Sequence, residues 1–470
     1  MRRIGIIGSG QAGLLTAHAL LQAGYEVTLY SDRTAEQWLH QSRPTGTAAR
    51  FRDALAFEQE LGLNYWEAEA PAFHGIHLTF CQEIRNPLLA LKGRASAGGQ
   101  AIDLRLQSHR WLNEFEKRGG RLFVEKVTVA RLDEIAAEND LTIVATGRGP
   151  LAQLFGRDPL RSVYEQPQRH LAMVIVTGAP MKVSDVPFTP VKFNFAAPIG
   201  EAFWVPYFHK TLGATWNLVF EARPGGQMDR FGEAKSGHEA VTIAKEVIRD
   251  LFPWDWEWAR HMELADENGW LVGRFPPTVR LPVGTLPSGR IVTPVGDASM
   301  ALDPIGGQGA NNGSRMARHL VQAIIERGDR PFTAEWMTTT FEQFYSQYGQ
   351  VTYTFNNMLL EPITPAGKEL LIAQVGSDGR VANTSGQQAI ANAFCDNFID
   401  PRTLTSAFQD TKKARAFIQQ RTGRHWLWSA VNGRFTIAKD QIRHKLGLRQ
   451  LEIIPNLAPW PQPNPFHSGD

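Results

Sequence analysis

The sequence predicts an α/β protein in which a Rossmann-type domain is interrupted by a mostly antiparallel β-sheet domain and followed by a helical C-terminal region. Three observations carry this expectation. A strand, the turn Gly8-Ser9-Gly10-Gln11-Ala12-Gly13 and a helix open the chain in βαβ order. Between about 165 and 280, short runs of alternating apolar and polar residues replace that pattern. From Ile291 to about Arg327 the order strand, glycine-rich turn, helix returns. The expected boundaries are 1–160 with 281–330 for one discontinuous domain, 161–280 for the inserted sheet and 331–470 for the helical region.

Each element has a local reason. Ile4 to Ile7 reads as a buried strand, Gln11 to Ala23 as a helix and Glu26 to Tyr30 as a second strand. Leu106, Trp111, Leu112 and Phe115 share one helical face, and Gly119-Gly120 stops that helix. Leu122 to Val127 and Leu141 to Ala145 read as further strands of the same sheet. The inserted sheet is expected at Ala172 to Val176, Lys192 to Phe195, Ala202 to Tyr207 and Thr215 to Glu221. Trp254-Asp255-Trp256-Glu257-Trp258 is similar to the tryptophan signature of flavin-dependent halogenases but lacks the following Ile-Pro, so it is read as a surface helix or turn. Helix signals dominate beyond 330, and the last dozen residues, rich in Pro and Asn, read as an irregular tail.

Composition narrows the function classes. With 470 residues, 43% apolar and 20% charged, the chain fits two or three domains with a large core. A net charge of +2 gives no reason to expect nucleic acid as a partner. The two cysteines, Cys81 and Cys395, lack ligand spacing, which argues against a disulfide framework or a zinc site and fits a reducing cytoplasm. Met1-Arg2-Arg3 does not open a signal peptide, because the apolar stretch breaks at Gly8-Ser9-Gly10. No apolar run reaches the roughly 18 to 20 residues that span a bilayer. His40, His170 and His209 have no Ser, Cys or second ligand at useful spacing.

Two motifs carry chemistry. In the first, Gly8 permits a tight turn, Gly10 lets backbone approach a pyrophosphate, and Gly13 allows close packing of helix on sheet. Gln11 and Ala12 begin the helix, whose free N–H groups face the phosphates. Asp32 follows the second strand, where an acid accepts from ribose hydroxyls, although the acid usually stands one position earlier, at Ser31; Arg33 lies beside it. The second motif is Gly296-Asp297, then Asp303-Pro304 and Gly307-Gln308-Gly309-Ala310-Asn311 before a helix. A carboxylate after a strand suits ribityl hydroxyls, and a glycine-rich helix start brings N–H groups to a flavin edge that gains negative charge on reduction. Together the two motifs point to FAD rather than NAD.

The Gly296-Asp297 pair resembles the signature of FAD monooxygenases of the aromatic hydroxylase superfamily. Within that group the chain is similar, from Met1 to about residue 405, to the oxygenase component of styrene and indole monooxygenases. The likeness rests on Val27 to Arg33, Asp103-Leu104-Arg105-Leu106, Ala145-Thr146-Gly147, Asp303-Pro304 with Gly307 to Asn311, and Asp396-Asn397-Phe398 ahead of Pro401. It implies Asp32 and Arg33 near the adenosine, Arg43 and Arg105 near the flavin and its phosphates, and Asp297 on the ribityl chain. Pro304, Gly309, Ala310 and Asn311 would surround the isoalloxazine, and Gly147 joins the cofactor set. Gly46 departs from the pattern, which has asparagine there.

The resemblance also implies a division of labour. Single-component members carry an Asp-Gly segment for direct use of NAD(P)H, whereas Thr142 to Pro150 has none. FAD would therefore arrive reduced from an NADH-dependent flavin reductase, take up O₂ as a C4a-hydroperoxide and oxygenate a small apolar aromatic or alkene. The flavin carries the chemistry, so no side chain is assigned a catalytic proton transfer. Water must be excluded, and Phe195, Trp204 and Pro206 are candidates for an apolar substrate wall, against the alternative of plain core packing. Two other readings stay open: a single-component NAD(P)H-dependent hydroxylase, and a cargo-binding protein resembling the Rab dissociation inhibitors. Homodimer formation is left open. The basic segment from about 405 to 450 (Lys412, Lys413, Arg415, Arg421, Arg424, Arg434, Lys439, Arg443, Lys445 and Arg449) is read first as a solvated helix packing its apolar stripe on the body. A membrane-surface or reductase-docking helix is the second reading.

Overall fold

The computed structural model describes residues 2–181 and 186–446. Arg449 and the Pro- and Asn-rich tail lie outside them. The chain divides into two compact units: 1–67 with 102–168 and 275–357, and 68–101 with 169–274 and 358–470.

The first unit is built on a sheet of order Gly284–Thr285, Ile291–Pro294, Leu141–Val144, Arg3–Ile7, Glu26–Ser31, Arg121–Val124. All neighbours are parallel except the first pair. Ile4 and Ile6 are fully buried, as the apolar run of a two-sided parallel strand requires. Helix Gln11–Gln22 returns the chain to Glu26–Ser31, and helix Leu104–Lys117 presents Trp111, Leu112 and Phe115, each 0% exposed, to the same core. Asp103 caps that helix by accepting the Arg105 N–H at 3.0 Å. Helix Gly309–Arg327 packs beside Gln11–Gln22. A helix over Ala334–Phe344 follows and passes through a π-helical turn at Tyr345–Gly349.

The second unit is a largely antiparallel sheet of order Glu263–Leu264, His170–Thr177, Gly213–Ala222, Gly200–His209, Val191–Ala196, Ala72–Glu83, Asn86–Ala101. Helix Gly237–Leu251 covers one face with a core of Trp204, Trp216, Phe220 and Trp258. Helices Pro365–Ala373, Gly386–Ile399 and Thr411–Thr422 belong to the same unit, as does Trp426–Lys445.

Four readings change. The hairpin Ala72–Glu83 with Asn86–Ala101, expected in the first domain, joins the second unit because Ile76 to Cys81 pair in parallel with Val191 to Ala196. The helical region is not one body, since residues up to 357 group with the first unit and the rest with the second. The tryptophan-rich segment is not a surface turn: Asp255 and Trp258 are buried, and Asp255 accepts the Trp204 indole N–H at 3.1 Å. Finally, helix Trp426–Lys445 does not bury its whole apolar content, since Leu427, Trp428, Val431 and Phe435 are exposed.

Candidate functional site

The cleft of the first unit follows from strand register. Ile7 pairs with Tyr30 on one side and Val144 on the other, and Val144 pairs with Pro294, so three loops leave the carboxyl edge of the sheet together. That edge, where connections diverge to opposite sides of Arg3–Ile7, is where open α/β sheets bind ligands. The loops carry Gly8 to Gly13, Ala145 to Gly147 and Gly296 to Asp297.

The glycines divide by task. Gly8 has φ +115°, and a Cβ there would lie 2.4 Å from the Ala145 carbonyl oxygen. A Cβ on Gly13 would lie 2.0 Å from the Gly8 carbonyl oxygen. Both glycines are demanded by the fold itself. Gly10 differs: no atom lies within 4 Å of where its Cβ would be, which leaves space for a group to approach the backbone. The first-turn N–H groups of a helix have no intrahelical partners, and helix Gln11–Gln22 begins at this open face.

The second glycine-rich helix start is held against the first. Gln11 Nε2 donates to Ser314 Oγ at 2.9 Å, and Ala12 Cβ lies 2.9 Å from where a Cβ on Gly296 would stand. Gly309 opens helix Gly309–Arg327, and a Cβ on it would sit 3.9 Å from Asp297 Oδ1. The structure thus gathers Gly8, Gly10, Gln11, Ala12, Gly13, Gly147, Gly296, Asp297, Gly309 and Ala310 at one sheet edge. Asp297 is 36% exposed, so solvent or a ligand reaches its carboxylate. The protein crowding its other sides holds the carboxyl above the ordinary range, while Arg148 pulls the other way. Arg148, which the sequence reading did not single out, lies 3.9 Å from Asp297 and 3.8 Å from the Phe275 ring centre. Its position right after Gly147 was the available signal.

Other candidates have different tasks. Asn311 is 2% exposed; its Oδ1 accepts the Phe51 N–H at 2.8 Å and its Nδ2 donates to the Ala49 and Gly307 carbonyls. Its side chain therefore fixes the loop that Pro304 begins. Asn356 Nδ2 also donates to the Asp303 carbonyl, a contact not foreseen from sequence. Arg105 is 0% exposed, with its guanidinium forked onto Asp103 at 2.9 and 2.7 Å, so it serves the interior rather than an open cleft. Arg43 is exposed on the loop after helix Ala35–Gln41. At the adenosine end, Ser31 shares a 2.6 Å hydrogen bond with Ser9, and Ser9 accepts the Trp38 indole N–H at 3.0 Å. The usual acid position is thus used for packing. Asp32 is 52% exposed and held by a bidentate pair with Arg33, whose guanidinium stacks 4.4 Å from the Trp38 ring centre.

The second unit contains an apolar pocket of about 520 Å³ including its open mouth. Leu78, Phe80, Phe193 and Phe195 line it from the sheet; Leu371 and Phe394 line it from the helices. Phe80 and Phe195 stack at 5.5 Å. Thr364 spends its hydroxyl on the Phe408 carbonyl and the Gly367 N–H, and Glu361 is exposed. Asn397 accepts the Leu404 N–H at 2.7 Å, and Asp396 accepts the Ser96 N–H at 2.7 Å, so Asp396-Asn397-Phe398 fixes the helix that walls the pocket. Of the three wall candidates only Phe195 lines it. Successive strand residues face opposite ways, and Trp204 pairs with Lys192, on the face opposite Phe193 and Phe195. Trp204 packs against Trp216 and Trp258, and Pro206 is buried without lining the pocket.

Residues 147–258 match the family described as "Styrene monooxygenase A putative substrate binding domain". Styrene monooxygenase StyA of Pseudomonas fluorescens is 27% identical over 430 residues, covering 89% of this chain and 98% of that protein. A StyA from another Pseudomonas is 27% identical over 331 residues, covering 69% of this chain and 77% of the relative. Among solved structures, 2-methyl-3-hydroxypyridine-5-carboxylic acid oxygenase superimposes with a TM-score of 0.54 at 16% identity, covering 91% of this chain and 99% of that chain. CmlS, a flavin-dependent halogenase, gives 0.57 at 14% identity, covering 93% and 76%. These structures share the fold.

Proposed function

We propose that this chain, a flavin-dependent monooxygenase of the styrene monooxygenase type, is the oxygenase component of a two-component cytoplasmic system. FAD enters already reduced by an NADH-dependent flavin reductase, and O₂ is the co-substrate. The substrate is a small apolar aromatic or alkene that is epoxidised as styrene or indole would be. When bound, reduced FAD would supply the two electrons that activate O₂, one atom of which goes to the substrate while the other leaves as water. The residues of the cleft fit that group. Gly10 and the first turn of helix Gln11–Gln22 receive the pyrophosphate, with Arg43 beside it. Asp32 accepts from the adenosine ribose while Arg33 neutralises it. Asp297 accepts from the ribityl hydroxyls, and the N–H groups of Gly309, Ala310 and Asn311 face the pyrimidine edge of the isoalloxazine, where charge accumulates on reduction. Asn311 and Asn356 position that loop. Phe80, Phe193 and Phe195 bind the hydrocarbon and keep water out.

The observation that carries the substrate reading is the phenylalanine-lined pocket with its one lining hydroxyl already spent. A product assay with a flavin reductase, NADH, FAD and a panel of styrenes, indoles and sulfides tests it. Epoxide or sulfoxide is expected only when the reductase is present. Rapid anaerobic bleaching of bound FAD by NADH or NADPH alone would identify a single-component hydroxylase instead, and H₂O₂ as sole product with every panel member would refute the substrate class.

A further inference from the structure

We infer that the outer face of helix Trp426–Lys445 is a docking surface for an anionic lipid bilayer, on which the enzyme lies peripherally. The helix has two apolar arcs with different fates. On the inner arc it meets its own unit closely: a Cβ on Gly433 would lie 2.4 Å from the Ile372 carbonyl oxygen, and Ala430 is buried. At about 100° per residue, Leu427, Trp428, Val431, Phe435, Ile442 and Leu446 fall within a second arc of about 100°. These six are 51 to 69% exposed. Single exposed apolar residues need no explanation, whereas a stripe of six, five on one helix and Leu446 just past its end, does.

Charge identifies what covers the stripe. Arg434 and Lys445 border the arc on one side, Lys439 and Arg443 on the other, and all four are exposed. Between residues 411 and 446 there is one acid, Asp440, and it lies on the opposite side of the helix from the stripe. A second copy meeting the same face would set these cations against their own kind, while an anionic surface complements every one of them. Bulky Trp, Phe and Leu side chains bordered by Lys and Arg describe a helix lying in the headgroup plane with its apolar side inserted. It lies there without spanning, since among the described residues no helix is long and apolar enough to cross a bilayer.

Flotation of the full chain with large vesicles of phosphatidylcholine alone, or with about 30% phosphatidylglycerol, tests this. Binding is expected to the phosphatidylglycerol vesicles only, with release of the wild type by about 0.5 M NaCl. The pair Lys439→Glu and Arg443→Glu should weaken it at least about twentyfold, and Val431→Ser with Phe435→Ser about tenfold or more. All substituted side chains are exposed, so the thermal midpoints of these variants should stay near that of the wild type, and the salt release of the wild type needs no variant. Failure to float with phosphatidylglycerol, or flotation unchanged by salt and by both variants, would overturn the assignment. A concentration-dependent dimer that Phe435→Ser dissolves would overturn it in favour of a second copy. Capture of the flavin reductase by the wild type but not by Phe435→Ser, without flotation, would overturn it in favour of that protein.

Discussion

Asn311 joins Phe51 to the Gly307 turn across 260 residues of sequence: its Oδ1 accepts the Phe51 N–H at 2.8 Å, and its Nδ2 donates to the Ala49 and Gly307 carbonyls, also at 2.8 Å. One buried amide satisfies three backbone groups. Asn311→Ala strands all three and should cost about 2 kcal/mol or more. Asn311→Asp keeps the acceptor but turns a negative charge on two carbonyls, and should cost about 3 kcal/mol or more. Urea unfolding of the FAD-free variants measures both, with Asp worse than Ala as the expected order.

The first glycine motif separates folding from binding. Gly8→Ala and Gly13→Ala place a Cβ 2.4 and 2.0 Å from backbone oxygens, so each should destabilise the FAD-free protein by about 2 to 4 kcal/mol. Gly10→Ala meets nothing within 4 Å and sits at extended angles, φ −76° and ψ 177°, so its unfolding midpoint should be nearly unchanged. Its FAD affinity should fall about tenfold or more because the methyl occupies the phosphate's place. Unfolding curves paired with flavin titrations read both effects, and a Gly10→Ala variant with wild-type affinity would remove the pyrophosphate from this turn.

Phe195 and Trp204 belong to adjacent strands but opposite faces. Trp204→Ala opens a hole between Trp216 and Trp258 and leaves Asp255 without its indole donor, which should cost about 3 to 5 kcal/mol. Phe195→Ala enlarges the pocket instead. It is expected to shift the product panel toward bicyclic substrates and to raise the share of H₂O₂ as water enters. Product ratios from the panel assay distinguish the two, since Trp204→Ala should lower all products together.

What the sequence showed and what it hid divide along the same line. The glycine turns, the strand ends and helix Leu104–Lys117 were legible because each is decided by neighbours within a few residues. The parity of Trp204 was not, because it depends on the pairing of Phe195 with Glu201, a register set between strands. Hairpin Ala72–Glu83 with Asn86–Ala101 alternates legibly at Ile76, Leu78 and Phe80, yet its partner strand lies more than a hundred residues away. Arg105 was expected near the flavin from the family resemblance, and the Asp103 carboxylate that occupies its guanidinium is a contact of the folded chain. Nor could the sequence show that Ser31, at the usual acid position, hydrogen-bonds Ser9 in the interior.

Two buried groups of the first unit titrate in opposition. Burial pushes the His18 imidazole down to about 4 from an ordinary 6.5, although Nε2 bonds the Trp111 carbonyl at 2.9 Å. In the window from 6.5 down to 4 the unfolded chain holds the extra proton, so stability present above 6.5 is lost as pH falls, about 3 kcal/mol in all. Burial pushes the Glu58 carboxyl up to about 7 from 4.5, with Arg50 opposing. Here the folded chain holds the extra proton, so stability present below 4.5 is lost as pH rises through 7, again about 3 kcal/mol. Between 4.5 and 6.5 the two slopes cancel, and the wild type should show little dependence from this pair. His18→Gln removes one arm, so its stability should fall with rising pH by about 1.4 kcal/mol per unit. Glu58→Gln should tilt the other way. Urea midpoints at about pH 5 and 6.5 decide it: three parallel profiles would mean that neither group's pKa differs between the folded and the unfolded chain.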